Sequence, residues 1–267
     1  MREVTLLTFN VLSPGHADWP RRRAVIREGL RRLAPDVVAL QECAHDVLDA
    51  DYATIWHSRR SDDGVGAVLA SRYPLRQIGE VDLRVTPRVT LPWAAAVLAE
   101  VELPLGTLVV AHHKPTWEHG YAVERELQAV ACARAVEEHL ADRALPAVVL
   151  GDFDDTPDSA AVRFWTGQQS LHGTSVCYRD AWAAVRPDRR GHTFDPRNPL
   201  VRAGEMALEL GRRIDYVLVR SGIHGPALDV VDCTRVFDEP VDGVWASDHI
   251  GVLARLRVPD HLPGAWV

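Results

Sequence analysis

The chain has 267 residues, 47% of them hydrophobic and 25% charged, an ordinary globular composition that excludes a disordered tail, a collagen or a coiled-coil rod. Thirty basic against 37 acidic residues leave a formal net charge of −7, so the charge does not indicate nucleic acid as a partner, although it is compatible with one. No apolar run approaches the ~20 residues of a membrane span, and Met1–Ser13, interrupted by Arg2, Glu3 and Asn10, is not expected to act as a secretory signal.

The first apolar run, Val4–Phe9, is short and rich in β-formers and predicts a strand. Pro20–Leu33 predicts a helix with Ile26, Leu30 and Leu33 on one face, and Arg21, Arg22 and Arg23 read as its solvated side. Buried strands are then expected at Val37–Leu40, Val65–Ala70, Ala94–Val101 and Thr107–Ala111. Tyr121–Leu140 predicts a second helix, with Val123, Leu127, Val130 and Ala133 inward and Glu124, Glu126, Glu137 and Glu138 outward. After a strand at Ala147–Leu150, Thr156-Pro157-Asp158 reads as an N-cap and first turn of a third helix. Arg186–Arg212, polar and interrupted by Pro187, Pro196 and Pro199, reads as a functional loop. Strands at Ile214–Val219 and Gly251–Val258 close the chain.

Strands and few helices interleaved along the whole length, with no linker or repeat, predict one α/β domain over residues 1–267. Packed sheets covered by helices are its expected architecture. Four scattered cysteines, Cys43, Cys132, Cys177 and Cys233, form no CxxC pair and read as reduced core thiols of a cytoplasmic protein.

Chemistry gathers where the strands end. Val4–Phe9 runs into Asn10, Val37–Leu40 into Gln41-Glu42, Thr107–Ala111 into His112-His113-Lys114, and Ala147–Leu150 into Gly151-Asp152-Phe153-Asp154. Ser247-Asp248-His249 precedes the last strand, so an antiparallel final strand brings all five groups to one edge of the sheets. Carboxylates and imidazoles crowd such an edge at a cost that a divalent cation offsets. Adjacent His112 and His113 point to opposite faces of a strand, so one of them at most reaches the site.

In their order along residues 8–249, Thr8-Phe9-Asn10, Leu40-Gln41-Glu42, His113, Gly151-Asp152-Phe153-Asp154, Arg213-Ile214-Asp215-Tyr216 and Ser247-Asp248-His249 resemble the endonuclease/exonuclease/phosphatase superfamily, with the fold of pancreatic deoxyribonuclease. The resemblance implies two packed mixed β-sheets flanked by helices, a four-layer α/β sandwich, and a phosphoesterase acting on a phosphodiester or monoester by in-line attack of water, with Mg2+ or Mn2+. It assigns Glu42 as main metal ligand with Asn10 and Asp248 near the ion, and Asp152 to orient or deprotonate the water. His249, held by Asp215, and His113 then stabilise the phosphorane or move a proton. Lys114, Arg197 and Asn198 are the expected substrate contacts.

Asp154 departs from the pattern, which has asparagine there; its carboxylate is expected near the metal or a second weak cation site, because two close carboxylates need a neutralising charge. The stretch His192–Pro199 looks like that of sphingomyelinase-type members and points to a smaller or lipid-derived phosphoester. A nuclease and a catalytically weak phospholigand binder are the alternatives.

Overall fold

The structure is a computed structural model, described for residues 3–141 and 143–260. Its elements in chain order begin with β1 (Glu3–Asn10), α1 (Trp19–Leu33), β2 (Val37–Cys43), β3 (Ala53–Trp56), β4 (Gly66–Ser71), β5 (Leu75–Asp82), β6 (Ala95–Leu103) and β7 (Gly106–Lys114). They continue with α2 (Ala122–Leu140), β8 (Ala147–Asp152), α3 (Ala160–Trp165), β9 (Tyr178–Asp180), α4 (Ala181–Val185) and α5 (Pro199–Ala203). The last are β10 (Asp215–Gly222), β11 (Gly225–Pro226), β12 (Asp229–Val236) and β13 (Gly251–Arg257).

Two mixed sheets result. One has the order β12-β13-β1-β2-β4-β3, the other β11-β10-β8-β7-β6-β5 with β9 added beside β10. Alternation along the strands assigns the layers. Leu6, Ala39, Val110, Val148, Leu150, Val217 and Ala254 point between the sheets into a shared apolar layer. Leu7, Phe9, Val38 and Leu40 point outward against Ile26 and Leu30 of α1. Val109, Ala111 and Val149 point the other way, against α2 and the Phe164 and Trp165 rings of α3. The four-layer α/β sandwich follows.

β13 runs antiparallel to β1, while β1 is parallel to β2 and β7 to β8. The carboxyl ends of β1, β2, β7 and β8 therefore share an edge with the segments leading into β10 and β13.

All eight predicted strands occur, and those that carry chemistry run on through their polar ends: β7 extends to Lys114 and β8 to Asp152. Five strands go unpredicted: β9 and β11 are three and two residues long, and β3, β5 and β12 lie at or near sheet edges and are half-exposed, so they lack the continuous apolar run that marks a central strand. The third helix starts later than predicted: Ser159, not Thr156, caps it by accepting from Val162 N.

The inner face of α2 is rotated from expectation. Val123 is 59% exposed while Glu124 is 2% exposed, because Glu124 accepts from Thr86 Oγ1 and Gln128 donates to Leu83 O. Polar anchoring, not apolar spacing, sets that face. Arg22 corrects the solvated reading of its helix: it is 1% exposed. Cys43, Cys132 and Cys233 are buried free thiols, whereas Cys177 is exposed. Among the described residues no helix is long and apolar enough to cross a membrane.

Between the sheets runs a buried polar chain. Gln41 Nε2 lies 2.8 Å from His112 Nε2, His112 Nδ1 lies 3.2 Å from His57 Nε2, and His57 Nδ1 lies 3.2 Å from Trp93 O. Two neutral imidazoles satisfy it: Gln41 donates to His112, His112 to His57, and His57 to Trp93. Burial lowers the His57 pKa to about 4 and pushes His112 well down, with the charges of His57 and His113 adding to it.

The unfolded chain binds a proton at His57 that the folded chain refuses, so this contribution is complete above pH ~6.5 and is lost as pH falls toward 4. The loss is on the order of 3 kcal/mol. Urea unfolding across this window should show a steep acid limb in the wild type and a shallower one in His57→Asn. Equal slopes overturn the assignment.

Candidate active site

Strict alternation puts Gln41 between the sheets and Glu42 on the α1 side, away from the site. A register shift between Leu40 and Cys43, with Glu42 at φ 53°, turns the carboxylate back; re-aiming a side chain is what such bulges do. Glu42 Oε1 accepts from Asn10 Nδ2 at 3.0 Å and Oε2 from Ser13 N at 3.2 Å. The same Asn10 amide donates to Asp152 Oδ2 at 3.1 Å, linking the two sheets, while Asn10 Oδ1 accepts from Leu12 N.

Asp248 Oδ1 accepts from Ser247 Oγ and its neighbour's backbone N–H. Burial, then the nearby Glu42 charge, raises its pKa against the pull of His249. Behind both acids lies Arg22, whose guanidinium donates to the carbonyls of Val11, Leu12, Ser13, His16 and Ala246. It stitches the loop after β1 to the turn before Asp248. Its hydrogen bonds go to backbone, so it forms no ion pair with either acid.

On the other side, β8 and β10 pair so that Asp152 stands opposite Asp215. His249 Nδ1 donates to Asp215 Oδ2 at 3.0 Å, and ligand-type atoms of Asp152, Asp215 and His249 all lie within 4.8 Å of one another. Burial alone lowers the His249 pKa, but Asp215, Asp152 and Asp248 outweigh it and hold the ring at about 10. Asp152 is pulled down to about 2 by Lys114, His249 and the Asn10 bond, against its burial. Asp215 is raised by burial and by Asp152, which exceed the effect of His249. An imidazolium among carboxylates thus fills this corner with its own positive charge.

The two adjacent histidines do leave β7 on opposite sides. His112 faces the buried chain between the sheets. His113 packs edge-on against Phe153 and Trp165, with its Nδ1 buried and unpartnered, and burial lowers its pKa to about 3. It is neutral at physiological pH and near enough for the Asp152 charge to act on it, while another β7 side chain takes the bonded position beside Asp152. That position belongs to Lys114, on the same strand face as His112.

Lys114 is 2% exposed, with Nζ 3.0 Å from Asp152 Oδ2 and bonded more closely to Asp154 Oδ2. Asp154 reaches it from a left-handed backbone, φ 53°, with its N–H on Asp152 Oδ1. Burial and Asp152 raise the Asp154 pKa, and Lys114 opposes them. Gly151 allows the close approach of β8 to β7, since a Cβ there would lie 1.9 Å from His113 O.

The loop before β10 is more ordered than its sequence indicates. Asn198 is buried: its Oδ1 caps α5 at Leu200 N, and its Nδ2 donates to Ser247 O and Asp248 O. It holds the Asp248 backbone instead of facing solvent. Arg197 is exposed and paired with Asp195. Thr193, given no role of its own from the sequence, accepts from Ile214 N and Asp215 N, and its carbonyl takes Ile250 N. With Phe194 tilted against the His249 ring, centroids 5.0 Å apart, it sets the distance between Asp215 and His249. A small polar residue before a buried aromatic was the only signal.

The model of the Endonuclease/Exonuclease/phosphatase family matches residues 7–249, and the chain belongs to that family. It is a hydrolase of phosphoric ester bonds, in a family whose enzymes depend on divalent metals. The fold is shared with truncated Caenorhabditis elegans TDP2, at 15% identity over 95% of this chain and 97% of that one, with a TM-score of 0.74. It is shared with D. rerio TDP2 complexed with a single-strand DNA product, at 18% identity over 96% and 99%, TM-score 0.72. An endonuclease/exonuclease/phosphatase from Bacteroides vulgatus aligns at 21% identity over 97% and 100%, TM-score 0.71. No curated protein matches the sequence.

The residues present fit a hard divalent cation. Glu42 and Asp248 offer only oxygen donors, repel each other across a partly buried gap, and among the described residues form no ion pair. Such a cation takes oxygen ligands and retains some of its water.

Proposed function

We propose that the protein hydrolyses phosphodiesters of small or single-stranded substrates in a Mg2+-dependent reaction, with Mn2+ able to substitute. The observation that carries this reading is the Asn10 amide bound to Glu42 and Asp152 at once, joining a cation-binding acid to a carboxylate beside an imidazolium. Glu42 and Asp248 hold the ion, with Asn10 beside it; the ion supplies Lewis acidity at the phosphate. Asp152, ionised and fixed by Asn10, orients the attacking water and accepts its proton. His249, charged and held by Asp215, donates toward the phosphoryl oxygens as negative charge develops there.

The net charge of −7 favours a small or single-stranded ester over a long duplex. D. rerio TDP2 with its single-strand DNA product supports the single-stranded form. The sphingomyelinase-like reading of His192–Pro199 supports a lipid phosphodiester less well, since Asn198 and Thr193 act within the protein. Buried reduced thiols agree with a cytoplasmic location.

Bis-p-nitrophenyl phosphate, short single-stranded oligonucleotides and sphingomyelin, each with added Mg2+ or Mn2+, form the test. Turnover of the minimal diester is expected. Binding of phosphorylated ligands without turnover of any of these esters overturns the enzymatic reading.

Arg197, whose side chain is 75% exposed, and Arg202, bound to Pro196 O, stand on the loop beside the site. Replacing both by Gln should reorder the substrate panel while changing minimal-diester hydrolysis less than about fivefold, as expected for ~1 kcal/mol surface contacts. An unchanged order removes the loop from substrate selection.

A further inference from the structure

We infer that this protein works with one divalent cation, and that the Lys114 ammonium occupies the position beside Asp152 and Asp154 that a second cation would otherwise take. The inference rests on Glu42 and Asp248 being the ligands of the first.

The site has two acidic halves of different character. Glu42 and Asp248 lie within reach of each other's charge and, among the described residues, have no hydrogen-bonded cation: the Arg22 guanidinium nearby acts on them through its charge and gives its hydrogen bonds to five carbonyls. Asp152, Asp154 and Asp215 form the other half, which already contains two positive side chains. His249 is bonded to Asp215, and Lys114 to Asp152 and Asp154 together. The first half is the one whose carboxylates have no positive side chain of the described residues bonded to them.

Lys114 has the form such a role requires. An ammonium is a compact point charge that places its donors between two carboxylates, whereas a guanidinium is a wide planar fork. The chain has 30 basic residues, of which Lys114 is the one lysine and the other 29 are arginines. A sequence that uses arginine everywhere else uses lysine where one cation is bonded to both Asp152 and Asp154. Burial by itself would lower the Lys114 pKa, but Asp152 and Asp154 raise it, so the charge is permanent.

Asp154 completes the arrangement. The family pattern has a neutral amide at this position; here it is a carboxylate, and the Lys114 ammonium bonded to it offsets the added negative charge. Without Lys114, the Asp154 carboxylate would lie against Asp152 in a buried space, a repulsion that a bound cation relieves. The carboxylate expected near a second cation does have one, and it is covalently part of the chain.

Mn2+ binding to the metal-stripped full chain, followed by calorimetry and by the loss of the free Mn2+ paramagnetic resonance signal, tests this. The wild type should bind one Mn2+ per chain, and Glu42→Gln should abolish it. Lys114→Met, with a native near-ultraviolet dichroism spectrum, should bind a second, which Lys114→Met/Asp154→Asn should lose again. Two ions on the wild type, or no additional ion on folded Lys114→Met, overturns the inference.

Asp154→Asn gives an arm that does not depend on the folding of the lysine variant. It should keep one Mn2+ with affinity within tenfold of wild type; a larger loss places Asp154 at the first ion and overturns the inference. A chain that binds one Mn2+ through Glu42 yet cleaves none of the phosphodiesters defeats the proposed function and leaves the metal count standing. A chain that binds no Mn2+ overturns the metal count.

Discussion

Glu42→Ala should remove Mn2+ binding at micromolar concentrations and lower turnover of bis-p-nitrophenyl phosphate by at least ~10²-fold, the effect of losing a preorganised charge-stabilising group. The expectation comes from the β2 bulge that brings Glu42 onto Asn10 and toward Asp248. Removing Glu42 leaves Asp248 as the one free carboxylate on that side, and a single monodentate acid binds a divalent ion weakly. Asn10 also loses one of its two acceptors, so the link that orients Asp152 loosens. The loss should appear in both metal affinity and kcat, and excess metal should restore only part of it. Full wild-type activity in excess chelator after exhaustive dialysis would sink the metal-dependent reading altogether.

Asp215→Asn is the second large effect, expected at ~10²–10³-fold in kcat with KM changed only slightly. The Asp215 carboxylate accepts the Nδ1 proton of His249 at 3.0 Å and is the largest of the influences that keep the ring charged against burial. An amide in its place keeps the shape but withdraws that charge, and its flipped form offers an N–H to a donor. His249 then loses both its fixed orientation and part of the field that stabilises the imidazolium. A role confined to the transition state predicts that kcat and kcat/KM fall together. A variant with unchanged kcat and raised KM would make His249 a ground-state phosphate contact. His249→Gln should be at least as impaired, and combining it with Asp215→Asn should add little, since both act through one hydrogen bond.

The end of β7 shows how far residue types lead. His112-His113-Lys114 marked the strand end as chemical, and opposite-face geometry for the histidines follows from the period of two. Which face meets Asp152 depends on how β7 pairs with β8, parallel and with His112 opposite Leu150. That pairing puts Lys114, two residues on from His112, beside Asp152. Arg22 is similar: in sequence it is one arginine among three. Its burial arises because the loop after β1 and the turn before Asp248, 224 residues away in sequence from Arg22 at Ala246, present carbonyls to the same point.

The local pattern of the chain was sufficient to determine the central strands, the two long helices, the layered class and the set of residue types at the strand ends. Period-two and period-3.6 burial are short-range properties, and carboxylates or imidazoles following buried runs are visible without a partner. Tertiary structure decided the rest. The Glu42 side chain turns into the site because β2 must bulge against β4. The α2 face is set by Glu124 and Gln128 finding partners on a distant loop. Lys114 belongs to Asp152 and Asp154, 38 and 40 residues further along the chain, because two parallel strands end together. Each of these depends on a contact between segments far apart in sequence, where the energy of a buried charge is set by its partner and not by its neighbours in the chain.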